Sequence, residues 1–65
     1  MDNARLYSRS LRMVDSTWTV RDDPKDRERA FKLLREYQEA EPSGDWILET
    51  RGTVAGWHEW KPSDK

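Results

Sequence analysis

The apolar positions between residues 24 and 41 recur at spacings of three and four, which is the period of an amphipathic α-helix. The apolar stripe consists of Ala30, Leu33, Leu34, Tyr37 and Ala40, with Phe31 at its margin. Asp23 can accept hydrogen bonds from free helical N–H groups, and Pro24 suits the first helical position. Residues 42–44 read Pro-Ser-Gly and end the helix. The pattern therefore predicts one helix from Pro24 to Glu41 whose stripe faces the core.

The segments after the helix have the composition of strands. Residues 45–51 carry aromatic and branched side chains and then alternate between apolar and polar positions, as a half-buried strand does. Gly52 and Thr53 could begin a reversal, although Gly52 could equally form a bulge. A second strand is expected from Val54 to Trp60, and the polar residues after Pro62 are expected to form a loose tail.

The segments before the helix predict a second hairpin. Thr17–Arg21 is strand-like in composition and alternation. Leu6–Val14 is compatible with a strand and with a helix, because some of its apolar residues also fit helical spacing. The alternation along this segment favours a strand, and Asp15-Ser16 is a plausible turn into the next one.

These elements predict an α+β fold with a small antiparallel sheet in the order strand-strand-helix-strand-strand and one amphipathic helix packed on one face. The other face of the sheet is expected to stay partly hydrated. Residues 1–65 are expected to form one domain, with residues 1–5 and 61–65 as loose termini. A chain of this length buries a small core, so self-association would help to stabilise it.

Composition narrows the class of protein. Apolar residues make up 34% of the chain and charged residues 38%, yet four tryptophans can supply a core from few positions. Without cysteine there is neither a disulfide nor a thiolate metal site, which favours a cytoplasmic protein. No apolar segment approaches the length of a membrane span. The net charge of −1 does not predict a uniform attraction to nucleic acid or acidic lipid.

Four short motifs resemble those of small uncharacterised proteins of actinobacteria and their phages. The motifs are Tyr7-x-Arg9-x-Leu11, Asp15-Ser16-Thr17-Trp18, Asp45-Trp46-Ile47-Leu48 and Gly56-Trp57-x-Glu59. The resemblance covers most of the chain. It brings no activity with it and implies nothing about a mechanism.

No catalytic pattern is legible in the sequence. His58 is the only histidine, and Pro62 stands where a metalloprotease motif would need a second histidine after Glu59. The three glycines do not form a phosphate-binding fingerprint. We therefore expect no catalytic residues, no cofactor and no metal site, and we do not expect an enzyme.

The tryptophans suggest a binding surface. Trp57 and Trp60 are three residues apart, so in a regular strand they point to opposite faces of the sheet. Ile47 likewise faces away from Trp46 and Leu48. Such residues would form either a minor apolar cluster under the tail or a binding patch.

The first hairpin interleaves arginines with aromatic residues, a composition found at protein interfaces and on nucleic-acid-binding surfaces. A solvated sheet edge with no partner is the third interpretation. The expected partner-binding residues are Arg5, Tyr7, Arg9, Arg12, Trp57, His58 and Trp60. The leading hypothesis is a small adaptor or inhibitor module that binds a protein or a second copy of itself. The alternative is a nucleic-acid-binding regulator that uses the basic first hairpin.

Overall fold

The computed structural model describes residues 2–51 and 56–61, which form one helix and four strands. The strands are β1 (Ala4–Ser8), β2 (Met13–Trp18), β3 (Trp46–Arg51) and β4 (Trp57–Glu59), and the helix is α1 (Pro24–Ala40). A 3₁₀ turn, Pro42–Gly44, links α1 to β3. All strand pairs are antiparallel, in the spatial order β2-β1-β3-β4. The predicted α+β class and the order of elements are confirmed.

The amino-terminal strand lies inside the sheet, between β2 and β3. Ala4 and Arg5 belong to this strand, and Ala4 is fully buried, so the prediction that residues 1–5 are loose is wrong for these two. The error has a simple cause: a single buried alanine gives almost no hydrophobic signal in the sequence. Of the predicted loose tail, only Lys61 is among the described residues.

The first hairpin turns earlier than the sequence pattern predicts. The chain reverses at residues 9–12, and Asp15-Ser16 lies within β2 instead of forming the turn. Thr17 and Trp18 are the last residues of β2, so Thr19–Arg21 is not part of the strand. The predicted strand Leu6–Val14 is therefore divided between β1, the turn and the start of β2.

Asp15 and Ser16 form a bulge in β2. Leu6 aligns with Ser16 and Tyr7 with Val14, which leaves Asp15 as an extra residue opposite Leu6. Both bulge side chains reach the hydroxyl of Tyr37 on α1: its O–H donates to Asp15 Oδ2 at 2.5 Å, and Ser16 Oγ lies 3.3 Å away. The bulge thus gives the edge strand two polar contacts to the helix where a regular strand would supply one.

The helix has the predicted amino terminus. The side chain of Asp23 accepts a hydrogen bond from the backbone N–H of Lys25 at 2.9 Å, and Pro24 occupies the first turn. At the other end Glu41 is the capping residue, one position before the 3₁₀ turn. The stripe faces the sheet as predicted except at Ala40, which is exposed.

The core lies between α1 and the two central strands. Its buried members are Ala4, Leu6, Ala30, Trp46 and Leu48. Seven half-buried hydrophobic residues pack against this core: Trp18, Val20, Phe31, Leu33, Leu34, Tyr37 and Trp60. Leu6 and Leu48 are directly opposite each other in the register, so β1 and β3 present one continuous apolar row to the helix.

A polar residue closes the core at the hairpin end. Ser8 is fully buried; its Oγ donates to the carbonyl of Gly44 at 2.5 Å and accepts from the backbone N–H of Leu11 at 3.0 Å. Gly44 is buried against the indole ring of Trp46, whose Nε1–H has no hydrogen-bond partner among the described residues. Ser8 therefore ties the hairpin turn to the 3₁₀ turn, and the close approach there requires glycine.

Gly44→Ala is expected to lower the free energy of unfolding by about 1–3 kcal/mol, because a Cβ at this position would lie 2.7 Å from Cε2 of Trp46. Gly56→Ala is the matched control, since an added Cβ there meets no described atom within 4 Å. We expect the control to stay within about 0.5 kcal/mol of wild type. Urea denaturation followed by tryptophan fluorescence measures both, and equal effects of the two substitutions would contradict the close packing at Gly44.

The Tyr37 contact predicts a pH dependence. The hydrogen bond to Asp15 raises the pKa of Tyr37 above its ordinary value of 10.0. The folded chain therefore holds this proton more tightly than the unfolded chain does, so the contact stabilises the fold below pH 10 and the contribution is lost as pH rises through the folded-state pKa. In a Tyr7→Phe background, ultraviolet titration should show Tyr37 ionising at higher pH than in the same background with Asp15→Asn. Identical titrations would show that Asp15 has no such effect.

Candidate interaction surface

The face of the sheet opposite α1 is built by the alternation of the strands. Arg5 and Tyr7 alternate with the buried residues of β1, and the register aligns them with outward positions of the other strands. We call this surface the open face. Its members are Arg5, Tyr7, Val14, Thr17, Ile47, Glu49, Arg51, Trp57 and Glu59.

An ion pair lies at the centre of the open face. Arg5 Nε donates to Glu49 Oε1 at 2.6 Å, and the two side chains are 22% and 13% exposed. The residues are direct neighbours in the β1–β3 register. Because both groups are largely shielded from solvent, each depends on the other for its charge to be compensated.

Trp57 lies between two guanidinium groups. Cζ of Arg5 is 4.4 Å from the centroid of the Trp57 ring, and Cζ of Arg51 is 5.7 Å from it. Arg5 also lies 5.8 Å from the ring of Tyr7. These distances are within the range of cation–π attraction. The result is a row of alternating aromatic and cationic groups on the open face, Tyr7-Arg5-Trp57-Arg51, with members on β1, β3 and β4.

Three of the seven predicted partner-binding residues are together in this row: Arg5, Tyr7 and Trp57. The predicted separation of Trp57 from Trp60 is confirmed, because Trp60 packs against Phe31 of α1 with 5.1 Å between ring centroids. The backbone N–H of Trp60 donates to the carbonyl of Leu48, which extends the β3–β4 pairing by one residue. Ile47 also lies on the open face, as predicted.

The other predicted residues lie elsewhere. Arg9 and Arg12 are in the hairpin turn. Arg9 forms a bidentate pair with Asp45, both bonds 3.1 Å long, and this hydrogen bonding raises the pKa of Arg9. His58 is exposed and aligns with Thr50, which places it on the helix side of the sheet near the β4 edge.

The sequence pattern did not identify Glu49 and Arg51 as parts of this surface. A signal was present for both, since they alternate with the inward residues of β3 and continue the side on which Ile47 lies. The sequence pattern does not show which strand pairs with β3. Arg5 and Glu49 are 44 residues apart, and only the β1–β3 register makes them neighbours.

The described residues offer no group of three or more metal-ligating side chains close enough to hold a metal ion. Within residues 2–51 and 56–61, no helix combines the length and the apolar character needed to cross a bilayer. In comparisons with family models, curated proteins and solved structures, the chain finds no match.

Arg5→Gln is expected to lower the free energy of unfolding by about 1–3 kcal/mol, because it leaves the shielded carboxylate of Glu49 without its charged partner. Arg9→Gln is the matched control: it removes a pair in which both side chains are more than half exposed, so stability should hardly change. Urea denaturation compares the two. A larger loss for Arg9→Gln than for Arg5→Gln would contradict the structural importance of the central pair.

Proposed function

We propose that this protein is a small binding module that presents the open face to a protein partner. The observation that carries the proposal is the row Tyr7-Arg5-Trp57-Arg51, which leaves two large aromatic rings and two guanidinium groups on a sheet surface that α1 does not cover. Tyrosine, tryptophan and arginine are the residue types most enriched among the dominant contacts of protein interfaces.

The geometry of the row favours binding energetically. Arg5 is held by Glu49 and by the ring of Trp57, so its rotamers are already restricted in the free protein. A side chain that is fixed before association loses less conformational entropy when a partner docks. Trp57 is half-buried and would complete its burial against the partner. A flat, partly apolar protein surface fits this face best.

Charge balance favours a protein partner over a nucleic acid. The open face carries two arginines and also two glutamates, Glu49 and Glu59, which are directly opposite each other in the register. A polyanion gains affinity by neutralising phosphates with uncompensated cations, and here the cations share the face with carboxylates. In the first hairpin Arg5 and Arg9 are each paired with a carboxylate as well.

The nucleic-acid alternative rests on Arg12, which forms no ion pair with the described residues, together with Arg9 beside it in the turn. It requires binding that weakens steeply with salt and with the loss of these two arginines. That pattern, measured by fluorescence anisotropy with single- and double-stranded DNA and RNA at low salt, would favour the alternative over the protein-binding proposal.

The proposal is tested by identifying a partner from the native host with the immobilised chain and then measuring the purified pair by calorimetry. Trp57→Ala is expected to raise the dissociation constant at least about thirtyfold, as truncation of a dominant interface tryptophan does. Arg51→Glu should also weaken binding. The matched control is Arg35→Glu on the exposed side of α1, which should bind like wild type.

Circular dichroism establishes that each variant is folded. Wild-type affinity in both Trp57→Ala and Arg51→Glu would refute the open face as the binding surface. A partner that is lost with Arg35→Glu and kept by the open-face variants would place the interface on the helix instead.

A further inference from the structure

A groove separates the second half of α1 from the edge strand β2. It has a volume of about 470 Å³ and is open to solvent. Leu33, Tyr37 and Trp46 contribute its apolar surface, and Asp15, Glu36 and Glu41 contribute carboxylates. None of the basic side chains in the described part of the chain lines it. The groove is therefore apolar and anionic, and it fits a segment that is apolar and cationic.

The same chain carries a segment of this complementary chemistry in the hairpin tip, residues 9–13. Leu11 is 58% exposed and Met13 is 50% exposed, which makes them the two most exposed large hydrophobic residues in the described part of the chain. Arg12 lies between them and makes no side-chain hydrogen bond or ion pair with the described residues. Two apolar side chains thus flank one uncompensated cation.

The backbone at the hairpin tip has an unusual conformation at Arg12. Arg12 has a φ of 55°, in the left-handed region that favours glycine. The hydrogen bond from the N–H of Leu11 to Ser8 Oγ fixes the preceding residue. Strain of this kind persists where the surrounding structure enforces it, and it is concentrated at binding sites.

The hairpin tip and the groove are next to each other on one side of the molecule. Met13 begins β2, and Asp15 in the same strand lines the groove. A two-fold axis between the two features would place each copy's tip in the other copy's groove, so that one contact is made twice and the assembly closes as a dimer. A tip and a groove on opposite sides of the molecule would make a head-to-tail contact instead, which produces rings or open chains.

From this arrangement the geometry points to a second copy of the chain as the occupant of the groove: Leu11 and Met13 of one copy pack on Leu33 and Tyr37 of the other, and Arg12 lies among the carboxylates. The patch on each copy is small, so the expected dimer is weak. This inference does not depend on the proposed function, because the open face is on the other side of the sheet.

The test is a charge exchange measured by sedimentation equilibrium of the full chain over a wide concentration range. Arg12→Glu and Glu36→Arg should each raise the dimer dissociation constant at least about tenfold, because each homodimer then contains two repulsive contacts. An equimolar mixture of the two variants should dimerise again, since both contacts in the mixed dimer are complementary. The matched control pair, Glu28→Arg and Arg35→Glu, lies on the exposed side of α1 and should dimerise like wild type.

Two further variants distinguish self-association through the hairpin tip from binding at the open face. Leu11→Asp should abolish the dimer without unfolding the chain, because the side chain is already exposed. Trp57→Ala, which tests the open face, should leave the dimer intact. In a mixture of labelled and unlabelled chains, isotope-filtered NMR should show contacts between Leu11 methyl groups and the Tyr37 ring.

Several outcomes would overturn the inference. They are a wild-type chain that stays monomeric at every concentration, a dimer unaffected by both charge variants, or a mixture of the two variants that does not recover. Intermolecular NMR contacts from Tyr7 or Trp57 instead of Leu11 would also overturn it, because they would place self-association on the open face.

Discussion

The structure depends on one geometric constraint: a single helix covers a four-stranded sheet on one face only. A helix with its side chains is about 10 Å across and strands lie about 4.8 Å apart, so α1 can bury roughly two strands. These are β1 and β3, whose inward residues Leu6 and Leu48 form the core with Ala30. The outer strands then need other contacts, and the opposite face has no helix to cover it.

Each outer strand is attached to the helix by a different interaction. The bulge in β2 brings Asp15 and Ser16 to the hydroxyl of Tyr37, whereas beside β4 the ring of Trp60 packs on Phe31. The β2 edge therefore has hydrogen bonds to the helix in addition to the packing of Trp18 on the core, whereas the β4 edge is held by aromatic contact. A groove lies between β2 and α1, whereas Trp60 beside β4 packs directly on Phe31 of α1. The shape of the helix side of the sheet therefore depends on how each outer strand contacts α1.

The two candidate surfaces differ in their chemistry. The open face combines aromatic rings with two arginines, of which Arg5 is paired with Glu49 within the face. The groove is anionic and apolar, and the hairpin tip beside it is cationic and apolar, so complementarity exists within the chain itself. Because the sheet lies between the open face and the groove, the two proposed contacts do not compete for one surface.

The sequence alone determined the helix, its Asp23 cap, the strand at residues 45–51, the α+β class and the opposite orientation of Trp57 and Trp60, because each depends on local periodicity or on residue types at fixed spacing. It placed Arg5, Tyr7 and Trp57 among the candidate residues for the same reason. The central position of β1, the bulge at Asp15 and the Arg5–Glu49 pair were decided only by the tertiary structure. They depend on which strands pair and in which register, and that choice is made by contacts between residues distant in the chain, for which a single sequence carries no periodic signal.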